Sequence, residues 1–330
     1  GGLNTRASDI SIKANESPDL LNVKLTKEGA IIKEKGYTYY NSNSLGLTIE
    51  LGGIYIYHKN TTNTNYLLVG AGDKLYTFSN NTFTDITRVS TSYSNNAVWN
   101  FATFNNICIG VNGYDEPQKF AGNLNAEDLG GSPPVGSSIV EIYNNRVFMA
   151  GDSNNPTKLS YSALSDPEDW TTANDAGWIE VGLNDGQKIT GLKAFFDILL
   201  IFKENSIYAL KGYSGDPSSE DYFIVKQINS SIGAISSRSM AQVGNSVFFV
   251  SNQGIYALNP TEVYGDLSLG QISFNIHSIF ETVNKSALDE SFVINNFEEN
   301  RLWFFLPQGS SNTNNFILIY DYTLNAWTQR

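Results

Sequence analysis

Acidic residues gather in five turn-like stretches of the 330-residue chain: Asp115-Glu116, Gly151-Asp152-Ser-Asn-Asn155, Asp166-Pro-Glu168-Asp169, Gly215-Asp216 and Glu220-Asp221. Several side-chain oxygens close together can hold calcium. None of these stretches has the regular Asp/Asn/Gly spacing of a calcium loop, and Asp, Asn, Gly and Pro are also what tight turns require. The acids could equally supply the two carboxylates that a glycosidase sets about 5–10 Å apart, but no spacing says which two would meet.

The other reactive residues are sparse. Cys108 is the single cysteine. It excludes an internal disulfide and any multi-cysteine metal site. Its place in Ile107-Cys-Ile109 suits a small buried hydrophobe better than a nucleophile. His58 ends an aromatic run and His277 lies in a helical pattern, with no neighbouring acid that suggests a triad. No serine occupies a Gly-x-Ser-x-Gly elbow. Gly70-Ala-Gly72 is followed by a strand pattern rather than a helix, so it reads as a turn and not as a dinucleotide loop. Sialidase propellers carry Ser-x-Asp-x-Gly-x-x-Trp turns. The nearest string here, Ser165-Asp-Pro-Glu-Asp-Trp170, lacks the glycine and the spacing. The six arginines, Arg6, Arg88, Arg146, Arg238, Arg301 and Arg330, show no grouping for a substrate carboxylate. Trp99, Trp170, Trp178, Trp303 and Trp327 could line a sugar site, or pack sheets together. No catalytic, cofactor-binding or metal-ligating residue is assigned, and the chain is expected not to be an enzyme.

Composition narrows the partners. Thirty-three acids against 21 bases give a net charge of −12. Duplex binding depends on counterions released by Lys and Arg, so stable DNA binding is not expected, nor is adhesion to an anionic membrane. The longest apolar run, 194–202, is interrupted by Asp197 and falls well short of the about twenty residues of a spanning helix. Aromatics make up 13% of the chain and charged residues only 16%, against a usual level of about 25%. That is a chain with a substantial core and a surface built from Asn, Ser and Thr.

A repeat supplies the elements. An apolar run, a Gly/Asn/Asp turn and an aromatic strand recur as Leu67-Leu-Val-Gly-Ala-Gly-Asp-Lys-Leu-Tyr-Thr-Phe78, Leu199-Leu-Ile-Phe-Lys-Glu-Asn-Ser-Ile-Tyr-Ala-Leu210 and Val247-Phe-Phe-Val-Ser-Asn-Gln-Gly-Ile-Tyr-Ala-Leu258. Looser copies begin at Ile107, Val147 and Leu302. The six anchors are 47 residues apart on average, within the about 40–50 of propeller blades. A hairpin alone is marginal in water, and radial stacking of small sheets buries its apolar face. Gly29-Ala-Ile-Ile-Lys-Glu-Lys-Gly-Tyr37 and Ile54-Tyr-Ile-Tyr57 read as one further unit, making about seven. The expected fold is therefore all-β, a single propeller domain over 1–330 of six to eight blades with short helical insertions. Strands within 1–58 either close the ring or dock on neighbours, and the natural chain is expected to continue past Arg330. Residues 124–138 read as a loop between blades. Residues 273–284 read as a helix, with Ile276, Ile279, Phe280 and Val283 on one face. That face suits an inter-blade groove or a docking partner.

Taken in order, these motifs resemble the tail-hub, or tail-nozzle, β-propeller of short-tailed bacteriophages, also called the tail stabilisation protein. Gly2-Leu-Asn4, Asn15-Glu-Ser-Pro-Asp-Leu-Leu-Asn-Val23 and Lys35-Gly-Tyr37 resemble the opening common in tailed-phage structural proteins, with Lys35 where an arginine is usual. Gly72-Asp-Lys-Leu-Tyr76, Gly110-Val-Asn-Gly113, Asn145-Arg-Val-Phe148, Lys158-Leu-Ser-Tyr-Ser162, Asp185-Gly-Gln-Lys-Ile-Thr-Gly-Leu192 and Ile201-Phe-Lys-Glu-Asn-Ser-Ile-Tyr208 are similar to the family's middle. Asn300-Arg-Leu-Trp-Phe-Phe-Leu-Pro307 and Ile319-Tyr-Asp321 are similar to its later blades. The resemblance covers most of 60–330. It implies a virion structural protein of the phage tail: a homo-oligomeric ring, typically of six copies, below the portal and adaptor. Such a ring continues the conduit for genome ejection, passes DNA without holding it, and anchors fibre or spike proteins. No cofactor is implied. The acidic balance suits a conduit that repels DNA.

Two other readings stay open. A glycan-binding propeller would use loops such as 151–156 and 213–221, and it predicts an exposed Trp or Tyr beside Asp or Asn in one pocket. A glycosidase predicts two close carboxylates with at least one raised pKa. The tail component predicts a contact surface spread over several blades.

Overall fold

The computed structural model describes all residues except 9–10, 39, 41–44, 46–50, 80, 96, 123–124 and 262–265. Parts of the expected N-terminal unit (1–58) and the first residue of the expected 124–138 loop thus lie outside the described residues. The architecture is nearly all-β. An N-terminal segment forms two small sheets, from β1 (Gly2–Leu3) with β2 (Glu16–Ser17), and from β3 (Val23–Leu25) with β4 (Ile31–Lys33). Six four-stranded sheets follow, each ordered as in the sequence. Blade one holds β5 (Leu51–Lys59), β6 (Thr64–Ala71), β7 (Lys74–Ser79) and β8 (Thr82–Asp85). Blade two holds β9 (Asn100–Phe104), β10 (Ile107–Val111), β11 (Gln118–Phe120) and β12 (Glu127–Asp128). Blade three holds β13 (Ile139–Tyr143), β14 (Arg146–Ala150), β15 (Lys158–Tyr161) and β16 (Gly177–Glu180). Blade four holds β17 (Ile189–Phe195), β18 (Ile198–Lys203), β19 (Ile207–Lys211) and β20 (Ile224–Asn229). Blade five holds β21 (Met240–Val243), β22 (Ser246–Ser251), β23 (Gly254–Pro260) and β24 (Leu267–Gln271). Blade six holds β25 (Phe292–Asn296), β26 (Arg301–Leu306), β27 (Phe316–Asp321) and β28 (Ala326–Gln329). This is a six-bladed β-propeller fold.

All six repeat anchors, residues 67, 107, 147, 199, 247 and 302, fall on the second strand of their blade. Tyr76, Tyr208 and Tyr256 stand at the same cross-strand position, opposite Val69, Ile201 and Phe249. The seventh unit does not form. Ile54–Tyr57 belongs to β5, which pairs with β6 of blade one, and Ile31–Lys33 pairs with β3 outside the blades.

The chain divides into two compact units. One comprises Gly1–Thr38, Glu204–Ser206 and Ile228–Arg330, and the other Tyr39–Lys203 and Ile207–Gln227. In the first unit, blades five and six share a core of Phe248, Val250, Ile255, Leu302, Phe304 and Leu318. The 273–284 stretch packs into it. Ile276 and Phe280 are fully buried and Val283 nearly so, so the apolar face serves an inter-blade groove and is not free for a partner. The helix itself is shorter than expected. Only α1 (His277–Phe280) is α-helical, flanked by 3₁₀ turns at Phe274–Ile276 and Lys285–Glu290. Val283 leaves the helix to bridge Gln308, and the Asn284 side chain accepts from the Ser286 amide to start the next turn.

Also in this unit, the N-terminal segment lies along the outer strand of blade six. The Asn22 amide donates to the Gln329 carbonyl (2.8 Å), and the Gln329 amide donates to the Leu20 carbonyl (3.0 Å). Leu3 and Leu20 are buried in the blade five–six core. In the second unit, blades one and two pack around Tyr57, Leu68, Trp99 and Phe120, blades two and three around Ile109, Val111, Val147 and Met149, and blades three and four around Phe148, Leu159, Leu192 and Ile201.

Candidate functional site

The acidic turns are occupied by their own backbones. Asp152 accepts from the Asn154 amide (2.9 Å) and the Asn155 side-chain amide (2.6 Å), Asp166 from the Glu168 amide (2.9 Å), and Asp216 from the Ser218 amide (2.9 Å). Asp169 caps Thr171 and Thr172, whose hydrogen bonds hold its carboxyl below the usual range. Asp115 accepts from the Ser94 amide and Asn112, and pairs with Arg88. Among the described residues no three His, Cys, Asp or Glu side chains gather as a metal site. Each described carboxylate whose pKa moves clearly is moved down: Glu16, Glu28, Glu34, Asp85, Asp128, Glu168, Asp169 and Asp216.

Cys108 is buried among Tyr57, Leu68 and Phe120, and desolvation pushes its thiol pKa up, the opposite of what a nucleophile needs. His58 Nδ1 lies 2.7 Å from Asn65 Oδ1 on an exposed strand end. His277 stands 3.7 Å from Glu281, one turn along α1, an acid within reach that spacing alone could have flagged.

The side chains that sequence reasoning missed are buried cations. Arg146 and Arg301 each open the second strand of a blade, and each follows an asparagine at positive φ, Asn145 and Asn300. The repeated Asn-Arg pair was the available signal. Arg146 donates to the carbonyls of Ser162 (2.9 Å), Asp175 (2.6 Å) and Tyr213 (3.2 Å), and pairs with the Asp175 carboxylate. Arg301 pairs with Glu34 (2.5 Å) and with Glu299. Lys203, fully buried at the end of β18, meets both Asp185 oxygens at 2.7 Å and the Val181 carbonyl at 2.8 Å. Removing one partner of such a pair leaves a buried charge uncompensated.

Of the five tryptophans, Trp99, Trp170 and Trp327 are buried and Trp303 is partly buried, whereas Trp178 on β16 is 55% exposed. Its cross-strand partner Ser160 lines a cavity of about 200 Å³ together with Pro134, Val135, Ser137, Met149, Ala150, Asp152, Asn155 and Lys158. The Lys158 ammonium joins the two, 5.1 Å from the Trp178 ring centre. A second, open groove of about 470 Å³ runs along Arg88–Ser90 and 125–128. The two loops expected to share a glycan site do not meet. Loop 151–157 joins the second and third strands of blade three, and its end lies against the start of β17 through the Ile189 amide and Pro156 carbonyl (2.8 Å). Loop 212–223 joins the third and fourth strands of blade four. It sits at the opposite end, where Asn144 donates to the Gly212 carbonyl (2.9 Å). Successive antiparallel strands send alternate connections to opposite ends of a sheet.

No protein-family model and no curated protein matches the chain. Among solved structures it is similar to the extracellular domain of a one-component system from Bacteroides thetaiotaomicron, with a TM-score of 0.53 and 13% identity over 88% of this chain and 38% of that one. It is also similar to the extracellular domain of a hybrid two-component system from the same organism, with a TM-score of 0.52 and 13% identity over 92% of this chain and 43% of that one. The chain thus spans well under half of those two chains. Hsv2 of Kluyveromyces lactis gives a TM-score of 0.48 at 12% identity over 85% and 84% of the two chains. At these identities the likeness is one of fold: the chain is a six-bladed β-propeller.

Proposed function

We propose that this protein is a structural component of a bacteriophage tail, a hub or nozzle subunit that works by assembling and not by catalysis. The observation that carries the reading is the scatter of exposed large apolar side chains over the blades: Ile54 and Ile56 on blade one, Tyr114 on blade two, Leu164 on blade three, Ile224 on blade four and Ile294 on blade six. Contact residues spread in this way suit a subunit that meets copies of itself and other tail proteins over a wide surface. A single concave pocket would instead concentrate them. The resemblance of the Asn145-Arg-Val-Phe148 and Ile201-Phe-Lys-Glu-Asn-Ser-Ile-Tyr208 motifs to tail-hub propellers supports the same assignment. The net charge of −12 suits a wall past which DNA moves without binding. The ring would hold about six copies, with adaptor and fibre or spike proteins as partners.

Mass measurement of the purified chain by light scattering, with electron microscopy of its particles, tests this. Rings of a fixed copy number are expected. A chain that stays monomeric at every concentration reached, or that turns over a glycoside, overturns it.

A further inference from the structure

We propose that the groove between blades two and three is a binding site for a neutral sugar, with Trp178 as the stacking platform and Lys158, Asp152 and Asn155 as the groups that hold its hydroxyls. One wall of the groove is the connection from blade two to blade three, at Pro134, Val135 and Ser137, and the other is blade three itself, from Met149 to Ser160.

Register shows what is left open. Val140, Met149, Ser160 and Trp178 are consecutive cross-strand partners over the four strands of blade three, so their side chains share one face. The first two pack in the blade two–three core, and Ser160 is 7% exposed. The row then opens abruptly at Trp178, 55% exposed on the edge strand. Lys158 lies two residues from Ser160 and so points the same way. Among the described residues it makes no ion pair, and its ammonium instead sits by the indole.

The chemistry selects the ligand class. A pyranose ring has one face of C–H groups that stacks on an aromatic plane and an edge of hydroxyls that both donate and accept. The indole matches the face. The Lys158 ammonium donates, the Asp152 carboxylate accepts through the lone pairs left by its bonds from the Asn154 amide and the Asn155 side chain, and the Asn155 side-chain oxygen accepts beside it in the cavity wall. The cavity, of about 200 Å³, is on the scale of one ring and not of a folded peptide. Glu180 is the cross-strand partner of Lys158, and Asp152 lines the same cavity. These two acids offset the single cation, so the site favours a neutral sugar over a uronate. The groove lies within one chain and needs no assembled ring. A monomer that binds the sugar would refute the assembly and leave the sugar site standing, and a ring that ignores sugars would do the reverse.

The full chain is applied to an array of neutral and acidic oligosaccharides, and hits are titrated by calorimetry and tryptophan fluorescence. Saturable binding of a neutral sugar with a dissociation constant of about 1 mM or tighter is expected. Trp178→Ala should weaken it about tenfold and Trp178→Phe much less, since stacking survives in the latter. Lys158→Met should weaken it without altering the fold, because its side chain is not in the core. No neutral hit on the array overturns the proposal, as does binding that Trp178→Ala leaves unchanged or a preference for acidic oligosaccharides.

Discussion

Glu34 and Arg301 lie 267 residues apart in sequence and meet in the interior, 2.5 Å apart, with both side chains almost fully buried. Burial alone would raise the Glu34 pKa, but the hydrogen bond and charge of Arg301 outweigh it and hold the carboxyl below its ordinary value of 4.5. A folded-state pKa below the unfolded one means that the pair contributes fully above pH 4.5. Its contribution is lost as pH falls through the lowered folded value. Glu34→Gln should therefore destabilise the protein by about 2–3 kcal/mol at pH 7, under the usual 3–5 for breaking a buried pair because Glu299 still faces Arg301. Urea midpoints compared at neutral and acid pH should show this deficit shrinking toward zero in acid. A deficit that stays constant with pH would mean that the loss is one of packing and not of charge. The Glu34 partner of Arg301 was not legible in sequence, because nothing local marks a contact between the N-terminal segment and the last blade. The Asn-Arg pairs at Asn145 and Asn300 are legible as a repeat, but the sequence around them does not show that each arginine is buried.

At the scale of elements, the turns explain which repeats could be read. The three clear copies join their second and third strands with two or three residues, at 72–73, 204–206 and 252–253, whereas the loose ones need six to nine, at 112–117, 151–157 and 307–315. The third strands also shorten, from five to seven residues in the clear copies to three, four and six in the loose ones, so the pattern blurs where the connection lengthens and the strand after it contracts. Fourth strands such as Glu127–Asp128 were invisible because two residues carry no periodicity. The first-to-second-strand hairpins have a stricter chemistry. Asn105, Asn144, Phe196 and Gly244 open two-residue turns in blades two to five, all with φ between 46° and 54°. Asparagine and glycine enter that region at little cost, while a bulky side chain is strained by about 1–2 kcal/mol. Phe196 is also 62% exposed, so little burial offsets its strain. Phe196→Asn is expected to stabilise the protein by about 1 kcal/mol, read as a higher urea midpoint at unchanged slope. A loss of stability would show that the contact between Phe196 and Phe195, at 4.6 Å between ring centres, matters more than the backbone.

For the whole molecule, the six anchors of the beat each mark one of the six blades, because every blade must present the same strand to the same neighbours to stay dry, although the count from sequence was about seven. The beat could not fix the role of the first 38 residues, which follow no beat. Gly29–Tyr37 and Ile54–Tyr57 read as a seventh unit, yet Ile54–Tyr57 belongs to blade one, and the first 38 residues form only two-stranded sheets and place Leu3 and Leu20 in the core of blades five and six. An exposed edge strand offers unpaired N–H and C=O groups to any passing chain. Here Leu20–Asn22 occupies that edge at Gln329, while Leu3 and Leu20 complete the core beneath Trp327. Burying two leucines is worth about 1.5–3 kcal/mol each, so the segment should set the local stability of the last blade. Deleting residues 1–34 is expected to speed amide hydrogen exchange in Phe316–Asp321 and Ala326–Gln329 by at least about a hundredfold. Strands of the other compact unit, such as Ile198–Lys203, should keep their rates within about threefold, because cooperative opening is confined to contiguous packed regions. Equal acceleration along the entire chain would instead mark the propeller as a single cooperative body. Unchanged exchange in the last blade would reduce the N-terminal segment to an appendage.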